Sequence, residues 1–155
     1  MNYAEISKDI IDHLYASYEA LKHSPLDPSL RIVLELRVSQ MNACIYCCNL
    51  HTDKARQRNI NELKLAALHQ WHNSPLFSPA EKEALSWAES LTTLSNKRAV
   101  TDTKLAIHFT EREIVDITAC VAIMNALNRM TWLKTVAACQ IMSHVTQQSD
   151  TSTIN

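Results

Sequence analysis

Three thiols and an imidazole lie within eight residues of one another, in the segment Cys44-Ile45-Tyr46-Cys47-Cys48-Asn49-Leu50-His51. Each residue of an α-helix turns about 100°, so Cys44, Cys47 and His51 fall on one stripe of a helix. Cβ atoms three residues apart on a helix are about 5–6 Å from each other, close to the reach of a disulfide bond. The spacing therefore indicates two thiols that can bond to each other, with a base one turn away.

The first turn of a helix favours the thiolate form of cysteine, because unpaired N–H groups and the helix dipole stabilise negative charge there. We expect Asn42 to cap a helix over about residues 43–58, which places Cys44 and Cys47 near its start. The thiolate is the nucleophilic form of sulfur, and His51 can exchange a proton with it directly or through one water.

Zinc binding and inert burial are the alternatives for these cysteines. A structural zinc site usually takes paired ligands from separate segments, whereas Cys120 and Cys139 stand alone. Four ligands on one helical stripe also surround a tetrahedral ion poorly. We therefore favour redox chemistry and predict neither a metal nor a cofactor. Cys48, Cys120 and Cys139 are interpreted as packing residues, and the basic run from Lys54 to Arg58 as a solvated helix face.

The composition excludes several function classes. The 155 residues include no glycine, which removes the Gly-rich phosphate loops of nucleotide-binding folds and argues against tight β-hairpins. A net charge of −1 gives no basic field for nucleic acid or an anionic membrane. The longest apolar stretch, about residues 117–127, is too short to span a bilayer. We expect a cytoplasmic protein whose five cysteines do not form a structural disulfide framework.

Apolar residues recur at helical spacing along the chain, which predicts an all-α fold. We expect a single-domain bundle of about six to seven helices over residues 1–145 and a flexible polar tail over 146–155. The first helix ends near residue 21, a loop covers residues 96–103, and a separate last helix covers about 129–144. The predicted helix starts are capping residues or capping boxes: Asp27 before Pro28, Asn61, Ser78-Pro79-Ala80-Glu81 and Thr110-Glu111-Arg112-Glu113.

Residues 36–56, LRVSQMNACIYCCNLHTDKAR, resemble the alkylhydroperoxidase D-like branch of the carboxymuconolactone decarboxylase family. The pattern of that branch is close to L-R-x-S-Q-x-N-G-C-x-Y-C-x-x-x-H-T-x-x-A-R. The resemblance extends over roughly residues 15–135, and residues 71–78, 84–89 and 125–129 also contribute to it.

The resemblance implies an all-helical fold that assembles into trimers or hexamers, and an antioxidant thiol peroxidase activity. By this likeness Cys47 attacks an organic hydroperoxide, Cys44 is the resolving thiol, and His51 relays protons. An external dithiol, which the resemblance implies to be carried by a lipoyl-bearing protein, then reduces the disulfide. We expect it to attack Cys44 if that sulfur is the more exposed one.

The sequence departs from the family pattern at three positions. The glutamate that often lies twelve residues before the first cysteine is replaced by Ile32, and Glu35, three residues later, is the candidate to take its place. Ala43 replaces the usual glycine, which suggests a helical backbone there rather than a positive φ. Cys48 is an additional thiol that could divert the disulfide.

Two other functions stay open. A lactone decarboxylase, the activity that names the family, needs no paired thiols, so the C-x-x-C motif counts against it. A redox-responsive or metal-binding module without turnover would use the same cysteines and consume no peroxide.

Overall fold

The computed structural model describes residues 2–94 and 104–149, with side chains described up to residue 133. All regular structure in these ranges is helical, which confirms the all-α prediction. Two of the α-helices, α1 and α7, are single four-residue turns, so the number of α-helices exceeds the predicted six to seven. The elements are α1 (Tyr3–Ile6), α2 (Lys8–Ala20), α3 (Pro28–Met41), α4 (Ile45–Gln57), α5 (Glu62–Ala67), α6 (Pro79–Thr93), α7 (Leu105–His108) and α8 (Glu111–Ser149), with 3-10 turns at Leu21–His23 and Leu68–Asn73.

The helix starts that the sequence predicted are present in α3 and α6. The Asp27 carboxylate accepts the Leu30 N–H at 2.8 Å, and a proline follows the cap. At α6 the Ser78 hydroxyl accepts the Glu81 N–H, while the Glu81 carboxylate accepts the Ser78 N–H. This reciprocal pair satisfies two donors that a helix start otherwise leaves unpaired.

Helix α8 begins as predicted but continues further than predicted. Thr110 and Glu113 form the expected capping box, with the Thr110 N–H donating to the Glu113 carboxylate at 2.9 Å. The helix then runs unbroken to Ser149, so the separate last helix over 129–144 is wrong. No proline interrupts this segment, and Asn128, which could have capped a new helix, is fully buried and accepts the Ser39 hydroxyl at 3.4 Å.

Several predicted boundaries are changed or lie outside the described residues. Ser7 divides the predicted first helix into α1 and α2. Helix α8 includes residues 146–149 of the predicted tail, while residues 150–155 and most of the predicted loop 96–103 lie outside the described residues. Although α8 is long, neither it nor any other helix in the described part of the chain is apolar enough to cross a membrane.

Helix α3 lies at the centre of the bundle and packs against α4, α6 and α8. Its side chains are buried on more than one face, because neighbouring helices cover it from several directions. Burying a Leu, Ile or Val side chain contributes roughly 1.5–3 kcal/mol to stability. The fully buried side chains of this core include Leu34, Val38, Leu68, Leu85, Leu105 and Ile117. A polar residue on α3 is therefore held in a rigid, dry position.

The connection from α3 to α4 is a tight helix-ending turn. The Cys44 N–H donates to the Ser39 carbonyl at 3.1 Å, and the Ala43 N–H donates to the Gln40 carbonyl at 3.0 Å. This pair of bonds is the Schellman motif, which requires a left-handed backbone between the two helices. Ala43 accordingly has φ 51°, so the helical backbone expected there is wrong. Asn42 ends α3 rather than capping α4, because the motif takes up both of its neighbours.

The exposed Ala43 allows a direct test of this turn. An L-residue in the left-handed region costs about 1–2 kcal/mol, which the greater freedom of glycine in the unfolded chain partly offsets. We predict that Ala43→Gly raises the free energy of unfolding by about 0.5–1 kcal/mol, measured by urea denaturation of the oxidised protein.

The matched control is Ala122→Gly, the same substitution at an exposed position inside α8. It should lower the free energy of unfolding by about 1 kcal/mol, because glycine is a poor helix former. Destabilisation by both substitutions would contradict the left-handed assignment of Ala43.

Candidate active site

Cys44 and Cys47 form a disulfide at the start of α4, with their Cα atoms 5.2 Å apart. Cys44 is the residue that caps the helix: its sulfur accepts the Cys47 N–H at 3.3 Å. The helix therefore begins at Ile45, two residues later than predicted. The predicted proximity of the two sulfurs to the helix start holds, with sulfur in the place of the usual capping oxygen.

Both cysteines are almost completely covered. Cys44 is 4% exposed and Cys47 is 6% exposed. Cys44 is therefore not the more exposed of the two residues. The condition under which we expected the reductant to attack Cys44 is not met. A reductant must reach the bond through a narrow opening.

A small cavity of about 70 Å³ lies beside Cys47 and His51, which both line it. The cavity is open on one side, so it can hold a peroxide group beside Cys47 while a larger organic substituent extends outward. The walls are mainly apolar and include Leu50, Met124 and Leu127. Thr131 adds a hydroxyl 3.7 Å from the Cys47 sulfur.

Glu35 and His51 form a buried pair next to this cavity. The His51 Nδ1 atom lies 3.1 Å from the Glu35 Oε2 atom, which is an ion-pair distance although the alignment falls short of a hydrogen bond. Glu35 is 0% exposed and His51 is 2% exposed. A carboxylate beside Nδ1 orients the ring and leaves Nε2 as the nitrogen available to the cavity.

The Glu35 carboxylate has two further neighbours. The Tyr18 hydroxyl donates to Glu35 Oε2 at 3.1 Å, and the Arg31 Nε atom lies 3.5 Å from Oε1. The Lys54 ammonium in turn donates to the Tyr18 hydroxyl at 2.9 Å. Burial raises the pKa of Tyr18 strongly, and the nearby charge of Glu35 raises it further. Tyr18 therefore remains a protonated donor at neutral pH.

The structure brings together Cys44, Cys47, His51 and Glu35, the four residues that the sequence singled out. Ile32, at the position of the family glutamate, is instead a buried core residue. Glu35 lies almost one helical turn further along α3 and reaches His51 from there, as the shared helix face suggested.

Sequence reasoning missed Tyr18, Arg31, Lys54 and Thr131. Tyr18 lies within the predicted first helix, and Lys54 was interpreted as part of a solvated basic face. That interpretation is wrong for Lys54, which is half-buried and lies against the Tyr18 ring as well as its hydroxyl. An i, i+4 spacing from Arg31 to Glu35 was the available signal for one of these contacts.

The remaining described cysteines are packed rather than paired. Cys48 is half-buried against the core, and Cys120 is buried. Burial raises the pKa of the Cys48 thiol, and it raises that of Cys120 well above its usual range, with the charge of Glu35 adding to the shift. The side chain of Cys139 lies outside the described residues. No group of three or more potential metal ligands occurs among the side chains that the structure describes.

The protein is therefore a helical bundle with a cysteine pair at a helix start and a histidine one turn later. This combination is typical of helical proteins with a redox-active disulfide. Residues 8–90, more than half of the chain, match the family model of the Carboxymuconolactone decarboxylase family. The chain therefore belongs to the carboxymuconolactone decarboxylase family, and its fold is that of the AhpD-like branch.

Individual relatives agree with this assignment. The uncharacterised protein YdfG of Bacillus subtilis is 30% identical over 132 residues, which cover 84% of this chain and 90% of YdfG. A protein of unknown function from Agrobacterium tumefaciens, proposed to be the antioxidant defence protein AhpD, superposes with a TM-score of 0.78 at 27% identity, covering 84% of this chain and 90% of that one. An uncharacterised peroxidase-related protein with an alkylhydroperoxidase AhpD core, from Ralstonia eutropha, has a TM-score of 0.73 at 22% identity over 83% and 70% of the two chains, and supports the fold alone.

Thiol labelling tests the arrangement of the cysteines. In the oxidised native protein we predict that iodoacetamide modifies Cys48 more slowly at pH 8 than it modifies the unfolded chain, and leaves Cys120 unmodified. The reason is that burial raises both pKa values and so lowers the thiolate fraction. The rate at Cys48 should rise with pH beyond the range in which an ordinary cysteine is fully ionised.

Peptide mapping provides the readout. Cys44 and Cys47 should be labelled only after reduction. Their labelling without a reductant, or rapid labelling of Cys120 in the folded protein, would contradict the structure.

Proposed function

We propose that this protein is a thiol-dependent peroxidase that reduces organic hydroperoxides in antioxidant defence. The observation that carries the proposal is the buried Glu35–His51 pair beside a disulfide, on a cavity that Cys47 and His51 share. A disulfide that only stabilised the fold would need no buried imidazole and carboxylate next to it. Such a pair suits proton transfer to and from sulfur.

In the proposed first step the reduced Cys47 thiolate attacks the terminal oxygen of the hydroperoxide. A sulfur–oxygen bond forms, the oxygen–oxygen bond breaks, and the alkoxide leaves with the bonding electrons. His51 gives this alkoxide a proton, so that an alcohol is released. Cys47 is oxidised to sulfenic acid by two electrons.

In the second step the Cys44 sulfur attacks the sulfur of the Cys47 sulfenic acid. The disulfide forms, and the hydroxyl group leaves as water with the proton of the Cys44 thiol. Because Cys44 already caps the helix above Cys47, little rearrangement of α4 is needed to form the bond.

An external dithiol then restores the thiols by disulfide exchange. Limited access to both sulfurs favours a dithiol at the end of a slender arm, such as the lipoyl group of a lipoyl-bearing protein. That partner is part of the proposal.

Self-association is a further part of the proposal. Large apolar side chains are exposed on α2, α4 and α8, and exposed apolar surface commonly marks a protein interface. They are Tyr15, Ile45, Tyr46, Leu50 and Trp132. Three of them, Tyr15, Tyr46 and Leu50, line the cavity, which favours a homo-oligomer as the working form. The family resemblance implies that this oligomer is a trimer or hexamer.

The decisive experiment is steady-state reduction of cumene hydroperoxide with dihydrolipoamide as the donor. We predict turnover by the wild type and loss to the level of buffer alone in Cys47→Ser, because the serine hydroxyl is not ionised at neutral pH. Cys48→Ser is the matched control. It should keep turnover within about twofold, since Cys48 is a neighbouring thiol that the mechanism does not use.

Two outcomes would overturn the proposal. One is absence of turnover in the wild type, which would leave a redox module without catalysis. The other is equal activity of wild type and Cys47→Ser. If, in addition, Cys47→Ser decarboxylated a lactone, we would conclude that the protein is a lactone decarboxylase, the activity that names the family, and not a peroxidase.

A further inference from the structure

Tyr18 and Lys54 line two different openings of the protein. One is the apolar cavity of about 70 Å³ beside Cys47. The other is an open polar groove of about 690 Å³, which Arg31 and Glu35 also line. The two side chains therefore stand between the cavity beside Cys47 and the polar groove.

A continuous series of polar contacts joins these openings. His51 Nδ1 lies 3.1 Å from Glu35 Oε2, the same oxygen accepts the Tyr18 hydroxyl at 3.1 Å, and that hydroxyl accepts the Lys54 ammonium at 2.9 Å. His51 and Glu35 are buried, whereas Lys54 is only half-buried. The series thus runs from the interior to the groove.

The proposed reaction needs a proton from solvent in every cycle. Each cycle converts one hydroperoxide and one dithiol into one alcohol, one water and one donor disulfide. The donor attacks as a thiolate and has therefore left one of its protons in bulk water. The alcohol and the water together carry three exchangeable protons away, whereas the hydroperoxide brings one and the remaining donor thiol brings one, so the third proton must enter the site from solvent.

The cavity is a poor route for that proton while a donor or a peroxide fills it. Its walls are mainly apolar, as at Leu50, Met124 and Leu127, and a bound donor or peroxide displaces the water that would otherwise carry a proton along them. Among the cations that face Glu35, Arg31 is also unsuitable, because a guanidinium does not deprotonate in proteins. Lys54 can release a proton, and Tyr18 links it to the carboxylate.

We propose that Tyr18 and Lys54 form a proton path that supplies His51 from the polar groove during disulfide reduction. Exposure does not favour Cys44, but attack there makes Cys47, which shares its cavity with His51, the leaving group. The donor thiolate bonds to the Cys44 sulfur, the Cys44–Cys47 bond breaks, and the Cys47 sulfur leaves with the electron pair and takes a proton from His51 Nε2. The second donor thiol then attacks the donor sulfur of the mixed disulfide, so that the donor disulfide is released and Cys44 takes the proton of that thiol. His51 takes the Cys47 proton back when Cys47 attacks the peroxide and passes it to the alkoxide.

The ring is resupplied at Nδ1 by linked transfers. Glu35 passes a proton to His51, Tyr18 passes its hydroxyl proton to Glu35, and Lys54 replaces that proton on Tyr18. Because burial raises the pKa of Tyr18, the last two transfers occur together and no free tyrosinate forms. Lys54 regains its own proton from water in the groove, and the imidazole turns over once per cycle so that Nε2 again carries a proton. The other titratable groups near Glu35 are Arg31 and the Cys120 thiol, and burial keeps the latter protonated.

The role of the proton path in a catalytic cycle rests on the proposed function, but the path itself can be tested without a peroxide. The assay is the rate of reduction of the Cys44–Cys47 disulfide by dithiothreitol, followed by acid quench and thiol alkylation. The rate is corrected for the thiolate fraction of dithiothreitol at each pH. In the wild type this corrected rate should be nearly constant from about pH 6 to 9.

We predict that Tyr18→Phe slows the reduction about tenfold at pH 7 and makes the corrected rate fall as pH rises, because solution then supplies the proton. The phenyl ring retains the packing of Tyr18 against the core. Lys54→Met should have a similar effect. Lys54→Arg should be as slow as Lys54→Met, because arginine keeps the charge and the donor but cannot release the proton.

Lys22→Met is the matched control. Lys22 lines the same groove but pairs with Glu19, away from the path, so its replacement should leave the rate unchanged. A wild-type rate in Tyr18→Phe, or full restoration of the rate by Lys54→Arg, would overturn the proton path. If the wild type fails to consume cumene hydroperoxide while Tyr18→Phe still slows disulfide reduction, the proposed function is wrong and the path stands.

Discussion

The structure depends on the burial of one carboxylate, that of Glu35, in the centre of the bundle. An ionised carboxylate removed from water loses several kcal/mol of hydration unless charged or hydrogen-bonding groups surround it. Three helices supply those groups: Tyr18 from α2, Arg31 from α3 and His51 from α4. These contacts link α2 and α4 to α3 at Glu35, where Oε2 accepts the Tyr18 hydroxyl, and they orient the imidazole that lines the same cavity as Cys47.

The same arrangement separates two environments. The cavity beside Cys47 has mainly apolar walls, while the groove on the other side of Tyr18 is lined by charged side chains. Keeping the two apart allows a hydrophobic substrate to fill its pocket without cutting off proton transfer to His51. Under the proposed function, a substrate bound in the cavity therefore does not block the supply of protons needed for turnover.

Local sequence signals predicted much of this site, whereas the contacts between distant segments could not be predicted. The cysteine spacing and the capping box at Ser78 depend on neighbours in sequence, so their geometry follows from helix periodicity. The backbone conformation of Ala43 was predicted wrongly because the left-handed φ is required by the turn between two helices and is not a preference of alanine. The Tyr18–Lys54 contact joins residues 36 positions apart, and no pattern within either helix indicates it. The continuity of α8 through Asn128 likewise depends on burial against α3.

Under the proposed function, the buried Glu35–His51 pair makes the dithiol reactive toward peroxide. The most direct measurement mixes the reduced protein with one equivalent of cumene hydroperoxide and follows formation of the Cys44–Cys47 bond by rapid quench and peptide mapping. Glu35→Gln should slow this single turnover about 100-fold, because the neutral amide cannot support a charged imidazole. Glu89→Gln, which alters the partly buried ion pair with Arg37 elsewhere in the bundle, should leave the rate unchanged. Equal rates in wild type and Glu35→Gln, with both proteins folded, would contradict the account.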